Sequence, residues 1–542
     1  MKQDTARLSR ACWTDISAKK MYSVRQIFKR SAVIEREGPG RYFSPEPYRV
    51  FLDGEFLFET DRNVITVDGL EPDRAYELSF EPGNEKIGFT TRHESFLLEV
   101  SAFGAVGDGV HDDTAALQAA IMACPEEGTV HISKGTYITG PLFLKSNMSF
   151  WVDEGATILG FADRSRYPVL PGIIRNLYDN DIEYNIASWE GNPLDSFASL
   201  ITVLNAEGVD IFGRGTIDGN AAAGDWWQDV RTKRTAWRPK LLSIINSKDI
   251  RLCGLHFRNS PCWALHPYYS DRLGFFDLDI ENPADSPNTD GFDPESCRDV
   301  LLLGTRISVG DDCIAIKSGK LYMAKYHHKE TENITVRNCL LESGHGSVTV
   351  GSEVAGGVKN VHVSKCIFRG TDRGVRIKTR RGRGERSVLE GLLFEDITMD
   401  GVHMPVTMNM FYFCDPDGHS SYVQDQSPAP VDFRTPKIGG IELRNADCSG
   451  VDASLVCAYG LPEAPIGRIS LKDIRAEYLP EEKRTPQCPI MMDGFPKLSG
   501  RSLVLKNVKE LDIENVSIKG SADTAPDLTA VDKISTTGLE YN

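Results

Sequence analysis

The chain contains no apolar run long enough to cross a membrane. No apolar stretch follows the mixed charges of Met1 to Val24, among them Lys2, Asp4, Arg7, Arg10 and Asp15, so no export signal is read. The 12 cysteines form no CxxC pair, which excludes the usual zinc and dithiol motifs. Cys253, Cys339, Cys366 and Cys448 fall in strand-like segments and read as buried free thiols. These features together predict a cytoplasmic protein. Positive charge is in deficit: the formal net charge is −16, which argues against a general nucleic-acid binder. No Walker lysine follows the glycine-punctuated stretch Phe103–Gly109, so a phosphate loop is a poor reading of it.

What remains is a long chain of ordinary composition, 542 residues with 41% hydrophobic and 25% charged, rich enough in glycine for many turns. Up to about Thr91 it reads as a small β domain. Val50-Phe51-Leu52 and Phe56-Leu57-Phe58 flank Asp53-Gly54, a hairpin signal. Gly69-Leu70-Glu71-Pro72 followed by Ala75-Tyr76-Glu77-Leu78 resembles the corner between strands E and F of a fibronectin type III domain, with Tyr76 as the corner tyrosine. The division expected is residues 1–95 for this β-sandwich and 96–542 for the remainder. Asp112-Asp113-Thr114 caps an apolar-periodic helix, Ala115 to Met122, placed to shield the open end of a solenoid.

From Gly128 onward short strands alternate with turns. Two polar residues, an apolar-x-apolar strand, a turn and another apolar pair recur at Lys248-Asp249-Ile250, Arg298-Asp299-Val300, Glu332-Asn333-Ile334, Lys359-Asn360-Val361 and Lys509-Glu510-Leu511. With Leu273 between them, the anchors Ile250, Val300, Ile334 and Val361 are separated by 23, 27, 34 and 27 residues, coil-length steps with variable loops. This predicts an all-β chain built around a right-handed parallel β-helix. Asp163 to Ser199, Ala222 to Pro239 and Pro405 to Pro436 interrupt the pattern and are expected to emerge on one face and build a binding site.

Three acids, Asp290, Asp311 and Asp312, stand about one coil apart in Asn288-Thr289-Asp290 and Gly310-Asp311-Asp312. Acids held together cannot all ionise independently, so their pKa values split, which suits a glycosidase needing one proton donor and one base. Gly344-His345-Gly346 lies a coil later, and Arg376-Ile377-Lys378 another coil on. Strand alternation points His345, Ser347 and Thr349 outward, Arg376 and Lys378 outward together, and Asp311 outward; Asp312 is out of phase and needs a bend to face the site. Each motif alone has a bland reading as turn acids, a loop histidine or a solvated charge pair. On consecutive coils they make one site.

These four motifs, in this order, resemble glycoside hydrolase family 28, the polygalacturonases. The wording of Ser260-Pro261-Cys262-Trp263-Ala264-Leu265-His266-Pro267 and of Gly374–Gly382 looks most like bacterial exo-acting members, with Cys262 where serine is more usual. The resemblance implies a hydrolase of α-1,4-galacturonosidic bonds that inverts the anomeric centre. Asp311 would be the general acid, Asp290 and Asp312 would activate water, and His345 would tune Asp311. Asn288, Gly346, Arg376 and Lys378 would contact substrate, the last two clamping its carboxylate. Inversion by direct attack of water calls for carboxyl groups roughly 6.5–9.5 Å apart. Arg380, Arg381, Arg383 and Arg386 are further candidates for substrate carboxylates on an otherwise acidic chain. No cofactor and no metal are called for, and the partner is a galacturonate oligomer or polymer rather than nucleic acid or membrane. The insertions and the missing export signal predict exo action on short galacturonides. Two alternatives stand beside this: a calcium-dependent pectate lyase on the same fold, and a non-catalytic carbohydrate-binding solenoid stacking sugars on Trp226, Trp227 and Trp237.

Overall fold

The computed structural model describes residues 21–176, 178 and 182–542. Most of the segment read for an export signal, and part of the 163–199 insertion, lie outside the described residues. Contacts divide the chain into a unit ending at Arg92 and a unit beginning at His93.

The first unit is two antiparallel sheets. One pairs Tyr22–Ile27, Ser31–Arg36 and Val64–Asp68; the other orders Glu55–Arg62, Phe43–Leu52, Ala75–Glu81 and Glu85–Thr90. Tyr76, Leu78 and Phe80 alternate inward along their strand and join Tyr22, Ile34, Val50 and Val67 in one core. Asp53 and Gly54 both have positive φ, as a two-residue hairpin that follows strand twist requires. The Tyr76 hydroxyl accepts a hydrogen bond from the Glu71 amide at 2.8 Å, the expected corner.

The second unit is a parallel β-helix closed at its start by the helix Thr114–Ala123, which buries Leu117, Ala120 and Ile121 on the core. Asp113 does not cap that helix through its side chain. Its two carboxylate oxygens instead accept from the amides of Val106 and Gly107, at 2.7 and 3.0 Å, and Asp112 accepts from the Thr114 amide. The glycine-punctuated loop thus spends these amides within the protein rather than on a phosphate.

The recurring anchors stack as the spacing predicts. Ile250 pairs with Leu273, Leu273 with Val300, Val300 with Ile334, and Ile334 with Val361, and the ladder continues through Leu392, Ile441, Ile469 and Leu511. Each anchor side chain is buried in one continuous core, where truncation of such a residue to alanine costs about 2–5 kcal/mol. The polar residue before each anchor has a reason of its own. Asp249, Arg272, Asp299, Asn333 and Asn360 all have φ between 54° and 59°, a left-handed bend that Asn and Asp tolerate best. Their side chains also bond from coil to coil: Arg272 to Asp249 at 2.8 Å, Asn333 to Asp299 at 2.9 Å, and Asn360 to Asn333 at 3.2 Å. Cys253, Cys339, Cys366 and Cys448 are buried.

Candidate active site

A second ladder of this helix carries the charged residues. Leu242, Leu265, Phe292, Ile314, Val348, Val375 and Val406 pair in sequence and point inward. Two residues before the first six of these come Lys240, Trp263, Asp290, Asp312, Gly346 and Arg373. One residue after, on several coils, come His266, Asp293, Thr349 and Arg376, and three after come Glu295, Lys317 and Lys378. Stacking thus turns separated sequence positions into rows of charge across neighbouring coils.

The acids expected from sequence meet. One oxygen from each of Asp290, Asp311 and Asp312 lies within 4.8 Å of the others. Among the described residues these three also form the one group of acids, histidines or thiols close enough to share a cation. The acids are this close because Asp311 and Asp312 are sequence neighbours and Asp290 lies on the adjoining coil. Asp312 does turn outward: its oxygens accept from Arg376 Nη1 and Lys378 Nζ, each at 2.9 Å. Gly346 makes room for this. A Cβ there would come within 2.7 Å of Asp312 Oδ1 and 2.6 Å of Thr349 Oγ1. Gly346 is itself buried. Ser347, also expected to face outward, is buried and bonds Thr371 at 2.7 Å.

Asp311 keeps partial exposure, and its Oδ1 lies 3.3 Å from Nδ1 of the half-exposed His345. That hydrogen bond holds the imidazole charged to higher pH than an ordinary histidine. Burial pushes Asp290 well above the usual carboxylate range, reinforced by Asp293 and Asp311. Burial would raise Asp312 too, but the charges of Lys378 and Arg376 outweigh it and hold that carboxyl far below its ordinary value. Neighbouring acids are thereby driven apart.

Arg376 and Lys378 face the site together, yet they are 7% and 8% exposed rather than solvated, and each is engaged by Asp312. A small recess beside them is lined by Arg373, Asn409, Tyr412 and Pro489–Met491. Asn288 accepts from Arg238 Nη2 at 2.5 Å. The arginines after Lys378 have partners within the protein. Arg380 pairs with Asp415 and Asp417, Arg381 with Glu463, and Arg383 with Asp415, while Arg386 donates to the Ala324 carbonyl. The sequence shows a basic cluster; the fold pairs Arg380, Arg381 and Arg383 with acids from the 405–436 insertion and beyond. Trp226 and Trp237 also have aromatic partners within the protein. Trp226 is fully buried against Tyr167 and Phe197, and Trp237 stacks on Trp189.

Sequence reasoning missed the buried groups around the acids. Lys317 Nζ lies 3.2 Å from Asp293, 3.7 Å from Asp290 and 3.6 Å from Glu353. Asp293 is pushed up to about 7, by burial first, with Lys317 pulling the other way. Lys240, fully buried, donates to the Ser188 carbonyl and lies over the rings of Trp189 and Trp263; burial lowers its pKa. Alternation past Ile316 already sets Lys317 outward, and that signal was available in the sequence.

The chain matches the family model described as Glycosyl hydrolases family 28 over residues 179–424, and a rhamnogalacturonase A/epimerase, pectate lyase-like model over residues 97–156. It is 30% identical over 314 residues to an endo-polygalacturonase of Pectobacterium carotovorum subsp. carotovorum, covering 55% of this chain and 72% of that one. The chain belongs to glycosyl hydrolase family 28. This family 28 glycoside hydrolase is also 29% identical over 411 residues to a probable polygalacturonase of Vitis vinifera, covering 74% of this chain and 78% of that one. In fold it is similar to a family 28 exopolygalacturonase of Yersinia enterocolitica, with a TM-score of 0.70 at 18% identity over 95% of this chain and 98% of the other. The parallel β-helix is thus the family 28 fold.

Proposed function

We propose that this family 28 hydrolase cleaves α-1,4-galacturonosidic bonds of galacturonides derived from pectin, working from a chain end and inverting the anomeric carbon. The observation that carries the reading is the juxtaposition of three acids within 4.8 Å with two cations, Arg376 and Lys378, on consecutive coils. A uronate substrate brings a carboxylate to a cationic edge and a glycosidic oxygen to an acid. The names of relatives support a galacturonide as the sugar: both a probable polygalacturonase and an endo-polygalacturonase are among them.

In this reading Asp311, the most accessible of the three acids, protonates the departing oxygen. Charged His345 then stabilises the carboxylate that Asp311 becomes. Asp290 takes the proton from the attacking water; its raised pKa makes it the stronger base once it is ionised. Asp312 is a poor proton acceptor because Arg376 and Lys378 hold it ionised, so its part is to orient those two cations and the water. The spare N–H groups of Arg376 and Lys378 receive the galacturonate carboxylate, the arginine in bidentate fashion.

Water, rather than a carboxylate, is the nucleophile in this scheme. Both oxygens of Asp312 are occupied by cations, which leaves neither free to attack the sugar. The alternative outcome is retention through a glycosyl-enzyme intermediate, in which one of these acids attacks the sugar directly. The configuration of the first-formed product separates the two.

End-wise action draws support from the 163–199 insertion. Lys240 and Trp263, which continue the row of Asp290 and Asp312, are covered by Ser188 and Trp189: Lys240 donates to the Ser188 carbonyl, and Trp263 lies parallel to Trp189 at 6.4 Å. Ser188 Oγ also bonds Glu295 at 3.2 Å, and Gly191 accepts from the Lys320 amide at 2.8 Å. On the far side of Lys320, Asp415 of the 405–436 insertion pairs with it at 2.9 Å. A groove stopped this close to the acids admits a chain end and little more. The test is product size against time on polygalacturonate. Monomer or dimer from the outset, with slow loss of viscosity, is expected; an early ladder of mixed oligomers with a rapid viscosity drop contradicts end-wise cleavage.

A further inference from the structure

Behind the three acids lies a fourth carboxyl on the same segment as Asp290. Asp293 is fully buried, and a single buried ammonium, that of Lys317, sits between it, Asp290 and Glu353. Lys317 Nζ also lies 4.5 Å over the ring of Trp263, so a packed aromatic wall fixes it on one side. Asp290 is faced by Asp293 on its own segment, by Asp311, Asp312, Cys313 and Lys317 on the next coil, and by Arg238 and Cys262 on the coils before. Of these, Lys317 is the cation within salt-bridge distance of Asp290, and Asp293 is the buried acid sharing that cation.

We infer that Lys317 and Asp293 are positioning residues that set when Asp290 is free to take a proton from water, an inference resting on the assignment of Asp290 as base. Neither touches the reacting sugar in this scheme; both act through Asp290. The electrostatics have opposite signs. The ammonium favours ionised Asp290, so its loss leaves the carboxyl holding its proton to higher pH. The neighbouring carboxylate disfavours ionised Asp290, so neutralising Asp293 lets Asp290 release its proton at lower pH. Burial magnifies both, because water is not there to screen them. The direction of the shift at Asp290, upward from burial, with Asp293 and Asp311 adding to it and Lys317 opposing, agrees with this division.

The test is the pH dependence of kcat/KM on digalacturonate for the full chain and for Lys317→Met, Lys317→Arg, Asp293→Asn and Asp290→Asn. The acid limb of that profile reports the base in the free enzyme. Lys317→Met is expected to move the limb up by about 1–3 pH units, as removal of a close counter-charge does. Lys317→Arg is expected to return it towards the wild-type position. Asp293→Asn, which preserves shape, is expected to move the limb down. A merely structural role lowers activity at all pH values and cannot displace the limb in opposite directions. Limbs that stay in place in both Lys317→Met and Asp293→Asn overturn the inference. If Lys317→Met does not fold, Asp293→Asn decides alone: a downward limb supports the inference and an unmoved one overturns it. Failure of the underlying assignment looks different. Wild-type enzyme inactive on digalacturonate, or Asp290→Asn fully active, removes the base reading itself, whatever the limbs do.

Discussion

Replacing Lys378 with methionine is expected to weaken the fold as well as the grip on substrate. The stem is 8% exposed and the ammonium donates to Asp312 Oδ2 at 2.9 Å, while Asp312 is 1% exposed. Methionine fills the same volume without the charge, and Asp312 keeps Arg376 as its other partner. The loss is therefore one charge-assisted bond to a buried carboxylate, about 1.5–3 kcal/mol, short of the 3–5 kcal/mol lost when a buried charge is deprived of its only partner. For a unit of this size about 1 kcal/mol corresponds to roughly one degree in Tm, so calorimetry is expected to register a drop of roughly 1.5–3 °C. KM for digalacturonate is expected to rise in the same variant. Combining Lys378→Met with Asp312→Asn gives a double-mutant cycle, and the two losses in Tm are expected to be less than additive because one bond is removed twice. A solvated clamp serving substrate alone gives another result: Tm unchanged, since surface substitutions usually fall within about ±0.5 kcal/mol, and no coupling in the cycle. That outcome refutes the anchoring role given to Asp312.

Asp311→Asn is expected to lower kcat at least about 100-fold, the lower bound of general acid catalysis, with Tm unchanged because its side chain is partly exposed; more than a tenth of wild-type kcat contradicts the acid assignment. Proton NMR of the first product is expected to show the β anomer from an α-linked substrate, and first-formed α product supports retention instead. The depressed Asp312 makes a pH-dependent contribution to stability. Its folded pKa lies below the unfolded value near ~3.9, so the stabilisation is fully present above that value and is lost as pH falls through the folded pKa. Asp312→Asn is accordingly expected to flatten the fall of Tm at acid pH, and an acid limb of Tm identical to wild type contradicts the pairing.

The coil repeat was legible because alternation and spacing are local properties. Ile250, Leu273, Val300, Ile334 and Val361 could be aligned by counting, and they pair as counted. The meeting of Asp290, Asp311 and Asp312 came from the same count. What counting could not supply is which charges find partners. Arg380, Arg381 and Arg383 look like an open basic patch until Asp415, Asp417 and Glu463 arrive from segments whose loops have no repeat to fix them. Arg376 and Lys378 were placed on the right face, but their burial depends on Tyr412 and Met491, one and several coils away. Trp226 reads as a sugar platform and is instead interior, since the 222–239 insertion folds its own small core with Tyr167, Phe197 and Ala236. Asp312 is the instructive residue: strand phase sets it inward, and the absence of a side chain at Gly346, with Arg376 and Lys378 donating to it, gives its carboxylate its place in the site.

The central claim, that the acid cluster hydrolyses a galacturonide, is tested most directly by digesting polygalacturonate in heavy-oxygen water and analysing the products by mass spectrometry. A hydrolase places one labelled oxygen at the new reducing end of a saturated galacturonide, and Asp311→Asn abolishes that incorporation. Unsaturated product that absorbs in the ultraviolet and carries no label, or labelled product formed equally well by Asp311→Asn, contradicts the account.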